Sequence, residues 1–107
     1  MDHYTLARQK LNDLLEHVRE GYAYNTLRAY RADMEEFIAY CVTREESPLP
    51  ADPFVVAQFL INVADCGIKA STIRRKVSSI SAVHRLSYFE DPTKHPEVKI
   101  AVRKVNR

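Results

Sequence analysis

Glycine is scarce in this chain, with two residues among 107 against five prolines. That scarcity excludes a low-complexity or linker-like polymer. It also excludes a glycine-rich phosphate cradle, which needs several glycines within one loop. Long apolar runs are missing as well, and no stretch approaches the ~20 consecutive apolar residues of a membrane-spanning helix. The opening Met1-Asp2-His3-Tyr4 is neither a secretory signal nor a basic amphipathic transit sequence. Cysteine occurs twice, at Cys41 and Cys66, each on an otherwise apolar helical face. Buried thiols in a reducing compartment are expected there rather than a disulfide, because small intracellular domains rarely need one. The expected location is cytoplasmic, in association with the chromosome or nucleoid.

Strict polar–apolar alternation, the mark of a half-buried strand, is absent, and so is any repeat of fixed period. Metal chemistry lacks its spacing too. His3, His17, His84 and His95 are scattered without Cys, Asp or Glu at ligand distances along a helix, so no metal and no cofactor is expected. Ser81 and His84 share one helix without a third orienting group, and His84 reads as a half-buried residue near a bundle surface. Glu35-Glu36 and Glu45-Glu46 point in different directions on a helix, as a solvated acidic rim does. No catalytic residue is assigned.

What is present is helical period from end to end. At this length one domain of residues 1–107 is expected, large enough to bury roughly two thirds of its unfolded surface. A first helix covers Leu6, Leu11, Leu14, Leu15 and Val18 and stops at Gly21. Asn25 is expected to cap a second, Thr26 to Thr43, with Leu27, Tyr30, Met34, Phe37, Ile38 and Cys41 inward. Pro48 and Pro50 break the chain, and Asp52-Pro53 opens a third helix that Gly67 ends. Ser71 or Thr72 is expected to cap a fourth, with Ile73, Val77, Ile80, His84 and Leu86 inward. Asp91-Pro92 breaks it, and a short fifth follows Pro96 with Lys99, Arg103, Lys104 and Arg107 on its polar side. The fold class is therefore all-α, a compact bundle of four main helices plus a short C-terminal one. Short loops predict that successive helices pack on each other roughly antiparallel.

Charge divides along the chain. Residues 1–67 carry 6 Lys/Arg against 11 Asp/Glu, and residues 68–107 carry 10 against 3, although the whole is only +2. Clustered cations are the usual footprint of a nucleic-acid binder. The basic half opens with Lys69-Ala70-Ser71-Thr72-Ile73-Arg74-Arg75-Lys76-Val77-Ser78-Ser79. On a helix, Ser71, Thr72, Arg75, Ser78, Ser79 and Ala82 would share a broad outward face opposite Ile73, Val77 and Ile80, with Arg74 and Lys76 on its flanks. Small hydroxyls allow close approach to a duplex, arginine and lysine reach phosphates, and arginine can also read a guanine edge. A solvated basic helix face is the alternative at this point.

The second helix carries a family pattern. Thr26, Tyr30, Asp33-Met34, Phe37 and Tyr40-Cys41 resemble the second helix of the N-terminal core-binding domain of tyrosine recombinases, the phage-integrase and Cre-like enzymes. The resemblance continues through Val56, Phe59-Leu60, Gly67, Ser71-Thr72-Ile73, His84-Arg85, Pro92 and Val98, over roughly residues 20–107. Two departures stand out: Tyr40 occupies a position where tryptophan is frequent, and Ser87–Asp91 replaces a common glycine turn.

The resemblance implies a SAM-like helical domain that forms one jaw of a clamp around duplex DNA, with helices two and four across the major groove. By position it places Thr26, Arg28, Arg31 and Ala32 of helix two against DNA. It does the same for Ser71, Thr72, Arg75 and Ser79 of helix four, with Lys69, Arg74 and Lys76 beside them. Arg103 and Lys104 would touch the backbone where the chain leaves toward a linker. The first and fifth helices would meet neighbouring protomers of a tetramer on DNA, while the isolated domain is expected to be monomeric. The family's tyrosine nucleophile and its Arg, Lys and His partners belong to a second domain absent from these residues, so this chain would be a DNA-gripping module and not a complete enzyme, either a piece of a longer one or a naturally short protein. Two further readings stay open, a helical protein-interaction module and a non-catalytic DNA-binding regulator.

Overall fold

The structure, a computed structural model, describes residues 2–106. Met1 lies outside the described residues, and so does Arg107 with its expected place on the last helix. The elements are α1 (His3–Val18), α2 (Tyr24–Arg44), α3 (Pro53–Asp65), α4 (Ala70–Leu86) and α5 (Pro96–Val105), with a 3₁₀ turn at Pro92–Lys94 before α5. Among the described residues there is no β-strand, and the all-α bundle expected from period is the architecture found.

Side-chain caps set several of the starts. Asp2 accepts from the Tyr4 and Thr5 N–H groups at 3.0 and 2.7 Å, satisfying donors that α1 leaves unpaired. Asp52 does the same for Phe54 at 2.8 Å ahead of Pro53, and His95 Nδ1 accepts from Glu97 N–H at 3.1 Å ahead of Pro96. Two starts differ from expectation. α2 begins at Tyr24 behind Ala23, and α4 at Ala70 behind Lys69, neither with a side-chain cap. Asn25, Ser71 and Thr72 therefore lie inside the first turns. The reason is backbone pairing: Leu27 N–H reaches Ala23 O at 3.1 Å and Ile73 N–H reaches Lys69 O at 3.0 Å, while Ile73 is buried.

Three helices end in one way. After α2, α3 and α4 a residue turns into the left-handed region, Glu45 (φ 55°), Gly67 (φ 90°) and Tyr88 (φ 63°). The next residue's N–H returns to a carbonyl five positions back: Glu46 to Cys41, Ile68 to Val63, and Phe89 to His84. This is the Schellman arrangement, and only α3 supplies the glycine that adopts it without strain. Tyr88 thus takes the turn where the resembling family commonly has glycine.

The core is continuous. Phe37, Phe59 and Tyr40 meet edge to face, with both ring pairs 5.1 Å apart, and Leu11, Met34, Ile38, Leu60, Ile73, Ile80 and Val98 close around them. The most extensive packing is not between successive helices, as expected, but between α3 and α5 and between α2 and α4. The amphipathic α5 covers α3, and the polar link described below ties α4 to α2. Two burial expectations are corrected. Cys66 is exposed because it caps the end of α3, whereas Cys41 is buried, and burial pushes its thiol up to about 12. His84 is fully buried rather than half-buried, because both ring nitrogens find backbone partners inside.

Candidate nucleic-acid interface

α2 and α4 lie side by side, and one carboxylate joins them. Asp33 is 1% exposed within the apolar stripe of α2. Arg75 grips it with two bonds, Nε to Oδ2 at 3.2 Å and Nη2 to Oδ1 at 2.8 Å. Ser79 Oγ donates to Oδ2 at 2.6 Å, and Lys76 Nζ lies 3.5 Å from Oδ1 while also donating to Glu36 Oε2. Burial by itself would raise the pKa of this carboxyl. The Arg75 and Ser79 hydrogen bonds and the charges of Arg75 and Lys76 outweigh it and hold the group below the usual carboxylate range. The Arg75 guanidinium is stabilised as a cation in return.

This link corrects part of the expected surface. The sequence predicts Lys76 and Ser79 on or beside an outward face, yet they are 4% and 1% exposed, and Ala82 is buried as well. The Lys76 and Ser79 side chains turn toward α2 because Asp33 there meets the charge of one and the hydroxyl of the other, which burial alone would leave unsatisfied. The remaining residues are accessible. Arg28, Arg31 and Ala32 on α2 are exposed, and so are Lys69, Ser71, Arg74 and Arg75 at the α4 end. Thr26 and Thr72 are half-buried.

The bonds of Asp33 and Glu36 set this part of α2 against the Arg75–Ser79 stretch of α4, and the exposed cations lie on the same two helices and at the start of α4. Within this surface the cations differ. Arg31 is held by Asn12 of α1 at 2.6 Å and lies 3.8 Å from Glu35. Arg74 turns the other way and donates to Asn106, at the end of α5, at 3.0 Å. That bond brings the α5 terminus, with exposed Arg103 and Lys104, next to α4. Arg28, Lys69, Arg103 and Lys104 have no side-chain hydrogen bond or ion pair among the described residues. Arg75 keeps a side chain 53% exposed although one edge of its fork is occupied.

The sequence reading missed Asp33 and Glu36 as parts of this site. A signal was available: Asp33 falls three after Tyr30 and four before Phe37, and Lys76 falls three after Ile73 and four before Ile80. Opposite charges on two apolar stripes mark helices that face each other.

A cleft of about 550 Å³ lies elsewhere, between the Pro50–Phe54 turn and the Glu90–His95 segment. Among the described residues no group of three or more His, Cys, Asp or Glu is arranged to hold a metal ion, and no helix is long and apolar enough to cross a membrane.

Comparison with known proteins gives the site its context. Residues 11–90 match the family described as phage integrase, N-terminal SAM-like domain. The chain is also 33% identical over 88 residues to an integrase/recombinase xerD homolog of Selenomonas ruminantium, a match covering 79% of this chain and 26% of that protein. The chain thus spans about a quarter of this relative's length. With the family match extending over most of an all-α bundle, the chain belongs to the N-terminal SAM-like domain family of phage integrases, the tyrosine recombinases that its residues resemble.

Proposed function

We propose that this domain, taken as one unit over residues 1–107, grips duplex DNA in the major groove as one jaw of a recombinase clamp, during integration or recombination in the cytoplasm. The observation that carries the reading is the accessible cationic surface built jointly by α2 and α4. Arg28 and Arg31 of α2 and Lys69, Arg74 and Arg75 at the start of α4 are exposed, and so are the small side chains Ala32 and Ser71 on the same helices, which leave room for a duplex. Thr26 and Thr72 border that surface, and Arg103 and Lys104 extend it along the backbone. Lys76 and Ser79 support it from behind rather than touching DNA.

The cutting and rejoining of strands falls to a second domain of the longer protein, and no catalytic role is assigned to this chain. Its partners are duplex DNA and, in the longer protein, other protomers of a tetramer; alone it is monomeric. Exposed Leu6 on α1 and Ile100 on α5, each 41% accessible, support protomer contacts through those two helices.

Fluorescence anisotropy of a labelled random-sequence duplex at two salt concentrations tests the reading. Binding that weakens steeply with salt is expected, because phosphate contacts release counterions. Replacing Arg28 and Lys69 together by alanine should weaken binding and lower the salt slope by about 2, roughly one for each phosphate-binding cation removed. Salt-insensitive self-association without DNA affinity would instead favour the protein-interaction module.

A further inference from the structure

We propose that Asp33 is a positioning residue for DNA recognition: it fixes the Arg75 guanidinium so that its unclamped edge meets the duplex. The inference rests on the DNA-gripping reading above and deepens it. An exposed, freely rotating arginine must give up rotamer entropy when a ligand fixes it. Here the Nε–Nη2 edge is already held on both oxygens of a carboxylate that is 1% exposed, at 3.2 and 2.8 Å. The carboxylate is itself immobilised, by Ser79 on Oδ2 and by Lys76 near Oδ1.

Three N–H groups of Arg75, two on Nη1 and one on Nη2, have no partner among the described residues. They belong to a side chain that remains 53% accessible. A planar fork held from one side offers a fixed pair of donors on the other, the geometry that phosphate or a guanine edge accepts bidentately. Lys76 cannot take this part, since its ammonium is buried between Asp33 and Glu36.

The sign of one substitution separates positioning from charge. Asp33→Asn removes a negative group beside the proposed interface, so simple electrostatics has it bind DNA more tightly. Positioning has it bind more weakly, because the amide cannot hold both arginine donors. The test is a double-mutant cycle on the labelled duplex, with Asp33→Asn, Arg75→Ala and the pair together. The expected result is about tenfold weaker binding for Asp33→Asn, at least as large a loss for Arg75→Ala, and no further loss in the double variant.

Unchanged or tighter binding by Asp33→Asn, or losses that simply multiply, overturns the inference while leaving the DNA reading intact. Absence of salt-dependent binding by the unaltered protein overturns both. Circular dichroism reports whether each variant is folded. Should Asp33→Asn unfold, Ser79→Ala takes its place in the cycle, since it frees Oδ2 on one side only. A loss of about threefold that disappears in the Arg75→Ala background is then expected, and an additive loss overturns the inference.

Discussion

Single side chains decide most of what distinguishes this domain. His84 is the clearest case. The backbone N–H of Ala51 can only donate, so Nε2, 2.9 Å away, must be unprotonated, and Nδ1 carries the hydrogen given to Ile80 O at 2.8 Å. A charged imidazole would set N–H against N–H. Burial drives the pKa of this ring below its ordinary value, and that effect exceeds the upward pull of the Ile80 carbonyl and of Asp91. A lowered folded-state pKa means the unfolded chain takes up the proton first. The stabilisation is fully present above about pH 6.5 and is lost as pH falls toward the folded-state value. Urea titrations between pH 7 and pH 5 should therefore show stability falling. His84→Leu should flatten that fall and lower stability at pH 7 by about 2 kcal/mol, because Ala51 N–H loses its acceptor. A pH dependence identical in the two proteins would remove His84 from the account. Its burial was only half legible. Period put it on the inner side of α4, but Ala51 lies 33 residues away, and no local pattern announces such a partner.

The elements themselves were legible where the sequence carries their chemistry. Asp52-Pro53, Asp91-Pro92 and Pro96 mark boundaries because a short side-chain acceptor and a fixed φ act locally. The starts of α2 and α4 were misplaced because Ala23 and Lys69 have no capping oxygen, so nothing in the sequence marks them. Helix ends show the same division. Gly67 declared itself, whereas Glu45 and Tyr88 adopt positive φ for the sake of the returning backbone bonds. Holding an ordinary residue in that region costs about 1–2 kcal/mol. Tyr88 is 95% exposed, so little packing offsets the strain. Tyr88→Gly should then raise stability by about 1 kcal/mol, as the relief exceeds the added freedom of the unfolded chain. Thermal unfolding at neutral pH reads this directly, and a lower Tm for the glycine variant would assign Tyr88 a packing role.

At the scale of the whole molecule, the charge division along the chain is a division of faces only in part. The basic second half does supply exposed Lys69, Arg74, Arg75, Arg103 and Lys104. One of its cations, Lys76, turns inside, where it and Arg75 meet the acidic Asp33 and Glu36 of α2. The two halves therefore attract each other where α2 meets α4, and what remains uncompensated faces outward. Sequence period located the helices and their inward stripes. The opposite charges of Asp33 and Lys76 on two such stripes marked helices that meet, but that Ser79 and Arg75 share the same carboxylate depends on how those helices cross, which period does not carry. The measurement that tests the account most directly is an amide NMR titration of the labelled domain with duplex DNA at low salt. Shifts should concentrate at residues 26–32 and 69–75, continue to Arg103 and Lys104, and spare α3. Shifts confined to α1 or α3, or none at all from a folded protein, would contradict the assignment of the α2–α4 surface to DNA.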